Sequence, residues 1–372
     1  MLLLHIGRGK AGSTTIQSTI DLNRDGLRAH AVAVPSRSAE FRGHAVDVYR
    51  AMQQAEGDET GLHDLRTLLD DPGNRHVFVS SEFLFTATRP EIERLKQALG
   101  PHDVRVVAYL RDYPDWLRSL YVQGAKRGRR VTDFDDFYEA AAKRAPCRAF
   151  LGRWADAFGW ERLRVRHLGG LGEVGLVGDL EAVLGCPLAA GPDQNTSPHW
   201  IETEFLRALN ARAAARGEPA PARAALAGVL TVLREVIDLH QPPEADYLTL
   251  VQYRRLEDAY LADAAWLAQR TDAPLPPATP DRTHERPFLP ELAAAPPAVR
   301  DTAAKRLRRS LRLKEQPELR LLVLATIEEH WPGGAGSADA AILTDPDGEE
   351  LDAVAPEAGL GDAVTRRSDP AM

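Results

Sequence analysis

Residues 2–15 constrain this chain more than any other stretch. Leu2-Leu3-Leu4-His5-Ile6 is an apolar run of strand length, and Gly7-Arg8-Gly9-Lys10-Ala11-Gly12-Ser13-Thr14-Thr15 turns directly into a helical pattern. A strand, a glycine-rich turn and a helix start aim backbone N–H groups and the positive end of a helix dipole at one point. That point is a ready site for a phosphate-like anion. The glycines let the backbone close around the anion, and the hydroxyls of Ser13, Thr14 and Thr15 can donate to it.

Spacing narrows the chemistry. A nucleoside-triphosphatase loop reads G-x-x-x-x-G-K-[ST]. Gly7 and Gly12 keep that glycine spacing, but position 13 is serine and the loop lysine sits earlier, at Lys10. The segment His5-Ile6-Gly7-x-x-Lys10-x-Gly12-Ser13-Thr14-Thr15-x-Gln17 resembles the phosphosulfate-binding loop of sulfotransferases that use 3′-phosphoadenosine 5′-phosphosulfate (PAPS). Ala11 departs from it, where threonine is usual.

Further segments carry the same resemblance over roughly residues 2–270. Val104 to Leu110 reads as a strand ending in Arg111-Asp112-Tyr113-Pro114, and Pro114 suits a first helical turn. Arg111 and Ser119, eight residues apart, look like the family's R-x7-S element for the 3′-phosphate. Phe150 to Gly159 with Leu163 to His167 resembles the helix and strand that follow in bacterial carbohydrate-type members. Asn195-x-Ser197 and Phe205-Leu206-Arg207-x-Leu209-Asn210 resemble later segments.

The resemblance implies a PAPS-dependent sulfotransferase whose product is adenosine 3′,5′-bisphosphate. Gly9, Lys10, Ala11, Gly12, Ser13, Thr14, Thr15, Arg111 and Ser119 would hold the donor, with Lys10 also meeting charge on the bridging oxygen. Glu82, just past the run Val77-Phe78-Val79-Ser80-Ser81, matches a family S-S-E segment whose glutamate is the proposed base. His44 is the competing base or an acceptor-orienting group. The implied acceptor is a hydroxyl on a carbohydrate or glycolipid. Two other classes stay open: a P-loop small-molecule kinase or NTPase, and a degenerate nucleotide-binding member without turnover.

Charge rules against nucleic acid as a partner. The net charge is −8, but residues 333–372 carry nine acids against Arg366 and Arg367, so the preceding 332 residues sit near −1. Cys147 and Cys186 offer no disulfide framework, which points to a reducing compartment. With no signal peptide and no apolar run long enough to span a bilayer, the expectation is a cytoplasmic bacterial protein without a membrane anchor. The histidines do not cluster at ligand spacing, so no metal is expected or required. Two basic runs, 126–130 and 305–314, read as solvated faces; the first is also a candidate to reach the donor's 3′-phosphate or an anionic acceptor, and the second for peripheral lipid or glycan contact.

Strand patterns at 2–6, 31–34, 76–80, 104–110 and 163–167 alternate with helical ones. This alternation predicts an α/β fold with a P-loop-like parallel sheet flanked by helices. From about residue 197 the pattern is mostly helical (200–215, 222–238, 246–271, 317–329), broken by a proline-rich stretch at 274–298 read as a crossing or lid segment. The expected organisation is a donor-binding α/β core over 1–196, a helical extension of the same domain over 197–332, and a disordered acidic tail over 333–372. The tail lacks aromatic residues and periodicity. Truncation after residue 332 is therefore expected to leave the melting temperature and donor binding unchanged, as read by thermal shift with adenosine 3′,5′-bisphosphate. A large drop in either would show that the tail is docked.

Overall fold

The computed structural model describes residues 1–35, 45–53, 59–191, 198–222, 224–271, 292–310, 313 and 315–332. Its centre is a five-stranded parallel sheet of β1 (Leu2–His5), β2 (Val32–Ala33), β3 (His76–Ser80), β4 (Val104–Leu110) and β5 (Leu163–His167), in the order β2-β3-β1-β4-β5. β1 lies between its partners with Leu4 opposite Val79 on one side and Val106 on the other. The chain first builds outward from β1 toward β2 and β3, then crosses to lay β4 on β1's free side. That reversal opens a crevice beyond the carboxyl ends of β1 and β4, where open α/β sheets bind ligands.

Both faces of the sheet are covered, which explains why its strands are nearly all apolar. Leu2, Leu4, Val77, Val79, Val106 and Val165 face α3 (Val46–Gln53), α4 (Thr60–Asp70), α5 (Arg89–Leu99) and α8 (Arg148–Phe158). The alternate positions Leu3, Phe78, Val107 and Tyr109 face α1 (Ser13–Leu22), α2 (Arg24–Ala29) and α9 (Gly175–Leu184). Each such side chain removed from water contributes about 1.5–3 kcal/mol. A third core is helical. It gathers α6 (Tyr113–Lys126), α7 (Phe134–Ala141), α10 (Trp200–Ala215), α11 (Ala227–His240), α12 (Leu250–Ala268), α13 (Pro297–Arg309) and α14 (Pro317–His330).

Strands fall where the sequence pattern puts them, although β2 shrinks to two residues at the sheet edge. Helix α12 starts later than its apolar pattern, because Thr249 and Gln252 form a reciprocal cap: Thr249 N donates to Gln252 Oε1 (3.0 Å) and Gln252 N to Thr249 Oγ1 (3.2 Å). The tail and most of the proline-rich stretch lie outside the described residues.

Helix α6 joins the sheet to the helical layer. Tyr113 donates through its hydroxyl to Asp263 Oδ2 (2.6 Å), Cys147 N donates to the same oxygen (2.7 Å), and Arg148 Nε donates to Oδ1 (2.5 Å). Asp263 is buried, so each of these bonds replaces a lost water contact. Burial pushes the Cys147 thiol up to about 12, which leaves it a neutral packing group rather than a nucleophile. Asp263→Ala would leave Arg148, Tyr113 and the Cys147 amide without their shared acceptor. Arg148 is half-exposed and can turn to water, so we expect a loss of about 1–3 kcal/mol in chemical denaturation, the cost of leaving the Tyr113 hydroxyl and the Cys147 amide unsatisfied; an unchanged stability would mean that water replaces the carboxylate.

Candidate active site

The site grows from the turn after β1. Gly7 passes so close over the preceding residues that a Cβ there would lie 2.5 Å from the His5 ring and 2.6 Å from Ser13 Oγ, so no other residue fits. His5 Nδ1 in turn meets Ser80 Oγ at 2.8 Å, tying the ends of β1 and β3 together. Lys10 has φ 72° and Gly12 φ 82°, both in the left-handed region. Glycine adopts it freely, but for lysine it costs about 1–2 kcal/mol. Strain of that kind is kept where surrounding structure enforces it, and it curls the loop around the start of α1. The first N–H groups of α1 have no intrahelical acceptor and point into this curl.

Residues beneath the loop hold it in shape. Trp116 Nε1 donates to Gly9 O (3.0 Å), and the Arg8 guanidinium lies 3.7 Å from the centre of the Trp116 ring. Arg8 Nη2 donates to Arg144 O (2.9 Å). Burial lowers the Arg8 pKa to about 10, so it stays cationic at neutral pH. Ser13 is buried, and its hydroxyl has no hydrogen-bond partner among the described residues. An orphaned donor of this sort at a helix start fits an anionic oxygen. Thr14 is exposed and Thr15 half-buried, whereas the Ala11 side chain is fully buried in the sheet core, so only its backbone is offered to a ligand.

Arg111 and Ser119, the two residues of the R-x7-S resemblance, meet: Arg111 Nη1 donates to Ser119 Oγ at 2.9 Å. Arg111 follows β4 and Ser119 lies in the second turn of α6, which Asp112 caps by accepting from Asp115 N (2.9 Å). Glu82 opens the short turn after β3, with Ser81 as its cap, and its Oε2 lies 3.5 Å from where a Cβ on Gly9 would stand. The loop, Glu82 and Arg111 thus share the carboxyl edge of β1, β3 and β4.

Electrostatics show the same convergence. Partial burial, with Lys126, Arg127 and Arg111 nearby, holds the Lys10 ammonium below the ordinary lysine value, and Glu82 offsets part of this. Lys126, Arg127 and Arg111 each disfavour the Lys10 charge, a cost that an anion beside Lys10 would relieve. The 126–130 run therefore divides: Lys126 and Arg127 feel Lys10, while the Arg130 guanidinium turns away to lie 4.1 Å from the Phe137 ring centre. In the 305–314 run, Leu307 and Leu313 are buried in the helical core and Arg306 pairs with Glu235 at 3.2 Å, so these leucines do not face solvent. A cavity of about 970 Å³ opens elsewhere, between Pro221, Ala225, Gln316 and Leu322. Its described lining holds Glu218 and Glu318 but no basic residue, which suits a polyanion poorly.

His44, Asn195 and Ser197 lie outside the described residues. Three participants were not singled out by motif. Arg8 reads in sequence as an ordinary loop arginine. Asp115 stands four residues after Arg111, an ion-pair spacing that was visible. His167 ends β5 opposite Leu110; its Nδ1 accepts from Gly169 N (3.1 Å), so Nε2 carries the hydrogen and is buried without a partner among the described residues. Burial lowers its pKa, so the ring is neutral at pH 7. Among the described residues no group of His, Cys, Asp and Glu is placed to hold a metal ion, and no helix is long and apolar enough to cross a membrane.

No protein-family model matches the sequence, and no curated protein matches it. Among solved structures, the chain is similar to a sulfotransferase from Alicyclobacillus acidocaldarius, at 20% identity over 58% of this chain and 95% of that chain, with a TM-score of 0.35.

For an anion held beside Lys10, the lowered pKa sets the sign of the pH dependence of binding. An anion favours the charged amine, so affinity is complete below the lowered Lys10 pKa and falls as pH rises through it. Titration calorimetry with inorganic sulfate is expected to show that fall starting at a lower pH than an ordinary lysine value of 10.5 would allow. Lys10→Arg should move the fall upward; identical profiles for the two proteins would remove Lys10 from the site.

Proposed function

We propose that this protein transfers a sulfuryl group from PAPS to a hydroxyl of a carbohydrate or glycolipid. The observation that carries the reading is the convergence of Lys10, Arg111–Ser119 and Glu82 on one sheet edge around a glycine-rich helix start. The donor fits the residues present: Ser13 Oγ and the loop amides suit its 5′-phosphosulfate, and the Arg111 fork with Ser119 suits its 3′-phosphate. When bound, it supplies an activated sulfuryl group. Serine at position 13, where an NTPase has lysine, supports this donor over ATP–Mg²⁺.

The protein's own contributions follow from this geometry. Lys10 and the amides at the start of α1 neutralise charge as it collects on the phosphate oxygen that leaves, acting as an oxyanion hole does. Glu82 takes the proton from the acceptor hydroxyl as the new S–O bond forms and the bond to that phosphate oxygen breaks. Positioning then carries most of the remaining rate, as in phosphoryl transfer. On the acceptor side, Phe83 is 39% exposed and stacks on Tyr49 with ring centres 5.6 Å apart. This apolar platform beside Glu82 supports an acceptor with a ring face.

Adenosine 3′,5′-bisphosphate is expected to raise the melting temperature and ATP–Mg²⁺ to do so far less; at a hundred times its dissociation constant a ligand adds about 2.7 kcal/mol. Lys10→Ala is expected to weaken donor binding and turnover together. Glu82→Gln should keep donor affinity and lower the transfer rate by about 10²-fold or more. Normal turnover in Glu82→Gln, with loss in His44→Ala, would move the base to His44.

A further inference from the structure

Arg111 is held on both sides of its fork. Nη1 donates to Ser119 Oγ (2.9 Å), and Nη2 donates to Asp115 Oδ2 (3.1 Å). Asp115 is itself held, because its Oδ1 accepts from Arg118 Nη1 (3.0 Å). The other edge of Arg118 grips Asp246 with two bonds, Nε to Oδ1 (2.7 Å) and Nη2 to Oδ2 (2.5 Å). Asp246 is buried and its Oδ1 also accepts from Leu248 N (3.0 Å), which fixes it just before α12. A row of alternating charges therefore runs from the helical layer, along α6, to the guanidinium at the sheet edge.

Two physical points give this row a role. An arginine side chain has several rotatable bonds, and a half-exposed one ordinarily samples many orientations. Here the neighbours of Arg111 are ordered down to a buried carboxylate, so its orientation is set before any ligand arrives. The row is also neutral, since Arg111 and Arg118 balance Asp115 and Asp246. Bulk attraction for an anion must then come from Lys10, Lys126 and Arg127, and what Arg111 adds is direction. We propose that Asp115, steadied by Arg118 and Asp246, is a positioning residue that sets the selectivity of the Arg111 site for a nucleotide carrying a 3′-phosphate. The proposal rests on the reading that Arg111 and Ser119 receive that phosphate.

Selectivity is the quantity to measure: the ratio of dissociation constants for adenosine 5′-monophosphate and adenosine 3′,5′-bisphosphate, by titration calorimetry on the full chain. In the unaltered protein the bisphosphate should bind more tightly. Asp115→Ala is expected to lower the ratio by about tenfold, the scale of one charge-assisted hydrogen bond, while the monophosphate affinity stays within about twofold. Asp246→Asn, which touches neither Arg111 nor the ligand, should lower it in the same direction by less. Arg118→Lys should do likewise, because an ammonium cannot bridge two carboxylates as a planar fork does. A general loss of structure would weaken both nucleotides together and leave the ratio alone. An unchanged ratio in a folded Asp115→Ala protein overturns the proposal, and so does a raised one, which would make Asp115 a competitor for the arginine. If Asp115→Ala does not fold, Asp246→Asn and Arg118→Lys decide by the same criterion. A ratio near one in the unaltered protein would instead sink the 3′-phosphate reading, and this proposal with it.

Discussion

At Gly7 the backbone crosses the His5 ring with no room for a side chain, and His5 is fixed to Ser80 on the neighbouring strand. That one close approach sets the height at which the chain leaves the sheet. From there the loop reaches the start of α1 through left-handed turns at Lys10 and Gly12. The strained lysine is kept there because Trp116 holds Gly9 O and the Arg8 guanidinium fills the space over the Trp116 ring. Positions of Glu82 and Arg111 matter because they rise from strands in register with β1. A site made of three separate loops thus inherits its precision from a contact between two backbone-proximal groups.

Much of this was legible without coordinates. Apolar runs bounded by turn residues located the five strands, and their alternation with helical patterns implied a parallel sheet with a single ligand edge. The pairing of Arg111 with Ser119 was implied by the resemblance to an R-x7-S element, placed after a strand and on a helix with Pro114 in its first turn. What the residues could not disclose was lateral contact. Arg8 in sequence is a cation in a loop, and nothing local says that three aromatic rings surround it. Arg130 belongs to a basic run, yet Phe137 draws it off the site. Asp246 lies 128 residues from Arg118, too far for any periodic pattern to connect them. Helix α12 began later than its apolar stripe because a cap, rather than hydrophobicity, chose its first residue.

Helix α6 has two duties that usually fall to different elements. Its first turns carry Asp115 and Ser119, which hold the Arg111 fork, and its buried face joins the helical core through Trp116, Leu117 and Tyr121. Polar crossings at Asp263, Asp246 and Glu204 pin it to the helical layer, the last through Tyr121 (2.9 Å). Buried ionic contacts of this kind add little net stability compared with apolar packing, but breaking one side of them is expensive. Their effect is to allow one alignment of the layers and penalise its neighbours. The sheet and the helices are thereby registered to each other near the chemistry rather than far from it.

The central place of β1 also has a consequence in time. Leu2 pairs with Val77 on one side and Val104 on the other, so β1 is flanked by strands that come much later in the chain. At ribosomal speeds of about 5–20 residues per second, β1 waits for about 5 to 20 s before β4 exists to complete its pairing. Through that interval the apolar strand lacks its partner on the β4 side, and the loop behind it lacks Trp116 to hold Gly9 in place. Long-range parallel pairing of this type is slow and exposes unpaired edges. The loop at Gly9 therefore takes its final shape only when Trp116, 107 residues further on, has been made, and until then β1 offers an unpaired edge through which the growing chain can aggregate.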